Sequence, residues 1–285
     1  MPELPEVETI KLGLQKRITG LKIQKIQILS PKSFIGNPNE VEGRKVLNIW
    51  RRAKILGIDL TGDKALLFHL KMSGQLVFEG KEKFIGGHPT EDMLGKMPNT
   101  HTRVILSFVD GSHLYFNDLR RFGWIKIVQS SKLKVKNDEI LGKLGPEPFD
   151  KDFTWQVLKQ NLLKHPNFPT KAAIMDQSVV AGVGNIYANE ACFDAKLDPR
   201  IKVKDLTDKQ FQALHKGIIK ALQTGIKYGG STRANFVDPE GHKGYFLDYA
   251  FVYWKDKHPC KVCGTEIKKI SLGGRGTYFC ERCQV

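Results

Sequence analysis

The sequence predicts an α+β protein of more than one domain. An N-terminal helix leads into an antiparallel β-sandwich, a helical region follows, and a four-cysteine zinc module ends the chain. Three observations predict this. Between Leu21 and about Val128, short apolar segments are separated by turn signals. From Asp152 to Tyr228, apolar residues recur at helical spacing. Near the end stands Cys260-x2-Cys263-x16-Cys280-x2-Cys283, the spacing of a zinc ribbon or finger. A chain of 285 residues is long enough for two or three domains with sizeable cores.

The first helix is expected over residues 3 to 18. Val7, Ile10, Leu14 and Ile18 recur at helical spacing, Pro5 is tolerated in the first turn, and Gly20 ends it. The expected strands are Lys22–Leu29, Lys45–Trp50, Ile55–Leu60, Ala65–Leu70, Gln75–Phe78, Val104–Phe108, His113–Phe116 and Trp124–Val128. Thr61-Gly62-Asp63 and Asp110-Gly111 are turn signals between them. A charged stretch, Ser130 to Glu139, opens a linker that Leu144-Gly145-Pro146-Glu147-Pro148 closes. Helical patterns then dominate, as in Phe153–Leu163 and Asp208–Ile226. The expected domains are residues 1–130 for the sandwich, 131–150 for the linker, 151–249 for the helical domain and 250–285 for the zinc module.

The chain has 45 Lys and Arg against 30 Asp and Glu, a formal charge of +15. Such a balance points to a polyanionic partner, and no apolar stretch spans a bilayer, so nucleic acid is favoured over membrane. No signal peptide is visible. With four cysteines in the metal pattern only Cys192 is left over, which suits a reducing cytoplasm better than a disulfide framework.

Two groups of residues carry chemistry on their own. If Met1 is removed, Pro2 becomes a free secondary amine with Glu3 and Glu6 one helical turn apart beside it. A secondary amine adds to a sugar C1 or an aldehyde to give an iminium ion, the logic of a lysine Schiff base. Acidic residues are also common in an ordinary first helical turn, so this triplet by itself decides nothing. Cys260, Cys263, Cys280 and Cys283 are able to form a closed site of four thiolates, which implies one structural Zn2+ rather than a catalytic one.

Pro2-Glu3-Leu4-Pro5-Glu6-Val7-Glu8-Thr9 resembles the amino terminus of bacterial formamidopyrimidine-DNA glycosylases, also called 8-oxoguanine-DNA glycosylase/AP lyases. The similarity continues in order through Arg51-Arg52-Ala53-Lys54, His69-Leu70-Lys71-Met72-Ser73-Gly74 and Asp118-Leu119-Arg120-Arg121-Phe122-Gly123. It ends with Leu144 to Pro148, Gly182-Val183-Gly184-Asn185-Ile186-Tyr187-Ala188-Asn189-Glu190 and the four cysteines. Each piece alone is weak or moderate, whereas the ordered series is specific. Leu4 stands where the related endonuclease VIII branch usually has glycine, which favours the purine-lesion branch.

The resemblance implies a bifunctional glycosylase/AP lyase of base excision repair. It would excise 8-oxoguanine and formamidopyrimidines from duplex DNA and cleave the abasic site by β,δ-elimination. Pro2 would attack C1′, Glu3 would act as acid/base near the ribose ring oxygen, Glu6 would hold the site's hydrogen bonds, and Lys54 would contact phosphate near the lesion. Met72, Arg120 and Phe122 would be a wedge filling the gap left by the everted nucleotide, with Arg120 meeting the orphaned base. Read as an extended segment, Arg120 and Phe122 point one way with Arg121 opposed, Arg121 also counting as a DNA contact. Asn185, in a helix–two-turn–helix motif, Arg275 and His101 would contact phosphates. Gly229 to Phe246 resembles the loop that covers the everted base. Lys71, Leu119 and Asn167 depart from residues common in the family, namely glycine, proline and lysine. The implied partner is damaged duplex DNA bound by a monomer in the bacterial cytoplasm, at the nucleoid when acting. Two rivals are a pyrimidine-lesion enzyme of the same superfamily and a lesion-binding protein without catalysis. A substrate panel separates the first, and a strand-cleavage assay the second.

Overall fold

A computed structural model describes residues 1–87, 95–134, 139–230 and 246–285. The chain divides into two compact units, one of Met1–Gly142 with Gly229–Gly244, the other of Lys143–Tyr228 with Tyr245–Val285. No helix among the described residues is long and apolar enough to cross a membrane.

The first unit opens with α1, Leu4–Ile18. Pro5 sits in its first turn, where no intrahelical N–H is required, and Thr19 caps its end before Gly20 turns at φ +88°. Strands follow as β1 (Ile23–Ile28), β2 (Phe34–Ile35), β3 (Val46–Arg52), β4 (Ile55–Leu60), β5 (Lys64–His69), β6 (Gly74–Glu79), β7 (Lys83–Gly87), β8 (Thr102–Phe108), β9 (His113–Asp118) and β10 (Trp124–Val128). They build two sheets, ordered β1-β8-β9-β6-β7 and β2-β10-β5-β4-β3. Every pairing is antiparallel except the short one between β2 and β10. Alternate residues of both sheets, such as Leu56, Ile58, Leu66, Phe68, Leu76, Phe78, Val104, Leu106, Leu114 and Phe116, meet in one core. Val7, Ile10, Leu14 and Ile18 of α1 join that core. Sequence periodicity passes over β2 and β7. The first has too few residues to alternate, and the second is broken by Gly86 and Gly87.

After β10 the chain forms a 3-10 turn, Ser130–Lys134, held where the Ser131 amide and hydroxyl donate to the Asp63 carboxylate at 2.8 and 2.7 Å. Residues 135–138 of the expected linker lie outside the described residues.

The second unit holds α2 (Trp155–Leu162), α3 (Thr170–Ala173), α4 (Asn185–Asp194), α5 (Asp208–Lys227) and α6 (Phe246–Tyr249), then the hairpin of β11 (Lys268–Leu272) and β12 (Arg275–Phe279). Thr154 caps α2, and Thr207 with Gln210 forms a capping box on α5. Glu190, on α4 and almost wholly buried, accepts the amides of Phe251, Val252 and Tyr253 at 2.8–3.0 Å. That clamp fixes α4 to the chain entering the cysteine module. Phe193 of α4 also shares a small core with Val252, Cys260, Ile267, Tyr278 and Cys280.

Candidate active site

In the first unit, the side chains singled out in the sequence gather at one end of the sandwich. Pairing explains why. Arg52 lies opposite Ile55, Ile55 opposite His69, and His69 opposite Trp124, so the turns after β3, β5 and β9 share one rim. Helix α1 lies along β3 in a matching register: Gln15 donates to the Ile49 carbonyl at 2.8 Å and Arg51 pairs with Glu8 at 2.9 Å. Moving toward the start of α1 therefore means moving toward the β3–β4 turn, which carries Lys54.

Pro2, Glu3, Glu6 and Lys54 are all buried. Glu3 is the N-cap of α1: its carboxylate accepts the Glu6 amide, and Glu6 Oε2 accepts the Glu3 amide at 2.8 Å. This reciprocal box aims both carboxylates at the helix start, beside Pro2. Gly230 forms part of the wall. Its φ is +87°, and a Cβ there would lie 2.9 Å from both Cγ and Oε1 of Glu6. His69, not singled out in the sequence, also belongs to this rim. Burial, then the charges of Lys71 and Lys54, lower its imidazole to about 3, so it stays neutral near neutral pH. The signal for it was present in the His69-Leu70-Lys71-Met72 run.

The wedge candidates are brought together by Asp118, which is fully buried. Its carboxylate accepts from the Ser73 hydroxyl, the Arg120 amide at 3.2 Å and the Gly123 amide at 2.7 Å. The Arg120 amide also donates to Ser73 at 3.0 Å. One carboxylate thus ties the turn of Met72 to the loop of Arg120 and Phe122. That loop is not an extended segment: Arg121 has φ +56°. Arg120 and Phe122 nevertheless lie on one side, the guanidinium 5.2 Å from the ring centroid, because the turn and not strand alternation places them. Phe122 is 56% exposed, too open for a core residue, and Met72 is half-buried. Arg120 and Arg121 are exposed. His101 is half-buried, with its amide donating to Asn99 Oδ1 at 2.9 Å and its carbonyl accepting from Asp118.

Non-glycine residues turn left-handed in each of these turns, Ala53 at φ +53°, Lys71 at +50° and Arg121 at +56°. Such a conformation costs an L residue roughly 1–2 kcal/mol. The departure from glycine at Lys71 therefore has a backbone cost.

In the second unit, Asn185 begins α4 and its Nδ2 donates to the Gly276 carbonyl at 3.2 Å, next to Arg275. Lys171 completes this group and was missed in the sequence, where a single lysine beside Thr170 and Ala172 carries no sign of burial. It is fully buried; its ammonium donates to Asn185 Oδ1 and reaches the Gly276 carbonyl at 3.5 Å. Arg275 is exposed at the start of β12, after Gly273 and Gly274 turn at φ +57° and +70°. Asn167 is exposed. Ser231 to Tyr245 of the loop expected to cover the base lie outside the described residues.

The four cysteine sulfurs lie within 4.8 Å of one another, Cys260 and Cys283 at 3.9 Å and Cys263 and Cys280 at 3.4 Å. Four thiolates around a tetrahedral zinc with Zn–S of about 2.3 Å stand about 3.8 Å apart, so the set fits one structural zinc. Cys192, fully buried with its thiol pushed up to about 12 by burial, takes no part.

Comparison with known proteins agrees with this layout. Three family models match in chain order: the formamidopyrimidine-DNA glycosylase N-terminal domain over residues 1–125, the formamidopyrimidine-DNA glycosylase H2TH domain over 144–237, and the zinc finger found in FPG and IleRS over 257–285. The formamidopyrimidine-DNA glycosylase of Bacillus subtilis is 39% identical across 100% of this chain and 99% of its own. The chain belongs to the formamidopyrimidine-DNA glycosylase family. Another member, from Heliobacterium modesticaldum, is 36% identical over the full length of both chains. Among solved structures of the family, the wild-type Lactococcus lactis protein in complex with DNA containing N7-benzyl-Fapy-dG matches with a TM-score of 0.85 at 32% identity, covering 99% of each chain. The Thermus thermophilus protein matches at 0.84 and 34% identity, covering 99% of this chain and 98% of that one.

Proposed function

We propose that this chain excises oxidised purines, 8-oxoguanine and formamidopyrimidines, from duplex DNA as a monomer and then cleaves the abasic site. The observation that carries this reading is the pairing of Glu3 and Glu6 across the start of α1, buried and beside Pro2. Relatives of the same family have been solved with Fapy-dG-containing DNA and with abasic-site DNA.

Removal of Met1 frees the Pro2 nitrogen. That nitrogen attacks C1′ of the damaged nucleotide as the C1′–N bond to the base breaks, and the departing base takes up a proton. Glu3 donates a proton to the ring oxygen as the sugar opens, leaving an iminium between Pro2 and C1′. The iminium acidifies the C2′ proton, and its loss expels the 3′ phosphate. A second elimination expels the 5′ phosphate. Glu6 keeps Glu3 oriented through the main chain, and Lys54 stands on the same rim as a cation for the phosphate beside the lesion. Met72, Arg120 and Phe122 fill the gap in the stack, with Arg120 hydrogen-bonding the orphaned base. Asn185, Arg275, His101 and Arg121 hold phosphates.

Borohydride trapping tests the reading. On an 8-oxoguanine duplex, protein lacking Met1 gives a covalent adduct whose N-terminal peptide begins at Pro2. An equally strong adduct mapped to Lys54, or trapping undiminished by a residue added ahead of Pro2, defeats it.

A further inference from the structure

The turn between β5 and β6 carries a cation that neither the sandwich nor the chemistry above accounts for. Lys71 takes a left-handed backbone at φ +50°, a conformation uncommon for any residue but glycine. The constraint is visible: its amide donates to His69 Nδ1 at 3.1 Å, and two residues later the Ser73 hydroxyl is bound by Asp118. Backbone held in this way at a functional rim points to a purpose for the side chain it presents.

The ammonium of Lys71 makes no ion pair with a carboxylate among the described residues. The acid that ties this turn, Asp118, is fully buried and already engaged by a hydroxyl and two amides. The charges of Lys71 and Lys54 add to burial in keeping His69 neutral, and the His69 Nδ1 accepts the Lys71 amide at 3.1 Å. Lys71 thus brings to this rim a cation that no carboxylate among the described residues pairs with. The next residue, Met72, is half-buried in the same turn, so an anion meeting Lys71 lies at the foot of the wedge.

We propose that Lys71 is a DNA-phosphate contact at the base of the Met72 turn, a cation gained at the cost of a strained backbone. The inference rests on the DNA-binding reading above and deepens it. It carries an unusual pair of consequences, since one replacement relieves strain and removes the contact together. Glycine at this position has no Cβ penalty, so the Lys71→Gly protein folds at least as stably as the parent. Its affinity for DNA falls.

The test measures equilibrium binding of the full-length protein to a duplex carrying a reduced, unreactive abasic-site analogue, across a series of salt concentrations. Each phosphate contact contributes about 0.9 to the slope of log K against log salt. The slope is expected to shrink by roughly that amount in Lys71→Gly and to be kept in Lys71→Arg, with the melting temperature of Lys71→Gly unchanged or raised. An unchanged slope and affinity in Lys71→Gly overturn the proposal, as does equal loss in Lys71→Gly and Lys71→Arg. If the parent protein itself fails to bind the duplex, the failure belongs to the DNA-binding reading, so the two are distinguishable.

Discussion

The ammonium of Lys171, with no surface exposed to solvent, donates to the side-chain oxygen of Asn185 at the start of α4. The same ammonium approaches the Gly276 carbonyl, to which Asn185 Nδ2 also donates at 3.2 Å. A lysine is buried here because it fixes which way the asparagine amide faces, and joins the β11–β12 hairpin to α4. Lys171→Met keeps the volume and removes the donor. It leaves Asn185 Oδ1 without this partner, at a cost of about 1–3 kcal/mol. Binding to an abasic duplex is expected to weaken about tenfold or more, and the melting temperature to fall. Unaltered affinity would show that Asn185 is positioned by other means.

The proposed mechanism divides the labour between Glu3 and Pro2. Glu3→Gln is expected to slow base excision by about 10²–10⁴-fold, the scale of lost acid/base catalysis. A pre-formed abasic site already offers an aldehyde in its open form, so the same variant keeps a substantial part of its lyase activity. Paired single-turnover rates on 8-oxoguanine and abasic duplexes check this. Equal loss on both would assign Glu3 to the amine or to the fold.

Gly230 is a steric limit on Glu6. Gly230→Ala places a methyl group within 2.9 Å of the carboxylate and imposes a left-handed backbone on alanine. The expected result is a tenfold or greater fall in excision rate, on the order of 1.4 kcal/mol in the barrier. A single-turnover assay with full rate in this variant would show that Glu6 has room to shift.

Cysteine loss should act through the second unit. In Cys260→Ser, metal analysis is expected to find the one zinc per chain released, because the closed tetrahedral set is broken. The core that Cys260 and Cys280 share with Phe193 then loosens, and DNA affinity falls as Arg275 loses its hairpin. The β-rich unit has its own core and stays folded. A zinc-free variant with parental affinity would contradict this.

His69 gives the fold a defined acid sensitivity. Its folded-state value is lowered to about 3 from an ordinary 6.5. Below the ordinary value the unfolded chain takes up a proton that the folded protein refuses. The contribution to stability is therefore complete above pH 6.5 and is lost as pH falls toward 3, by at most about 1.4 kcal/mol per pH unit. Denaturant titrations between pH 7 and 4 should show this slope, and His69→Gln should flatten it. Identical slopes in parent and variant would mean that another group titrates.

Much of the molecule is local in origin and was legible in the chain. The helix of Val7, Ile10, Leu14 and Ile18, the strand of Ile55–Leu60 and the four cysteine ligands follow from spacing alone, because each depends on neighbours within a few residues. The carboxylates beside Pro2 were readable for the same reason: Glu3 and Glu6 meet across one helical turn. What the tertiary structure decided rests on partners distant in sequence. Lys171 meets a carbonyl 105 residues away, and the Arg120 amide meets the Ser73 hydroxyl across 47. Nothing in a lysine's neighbours reveals that its charge is buried. The loop of Arg120 and Phe122 reads as a strand by alternation, yet buried Asp118 captures two of its amides and bends it through Arg121. Local spacing set which side chains were available, and long-range capture of main-chain amides by a few buried polar groups set where they point.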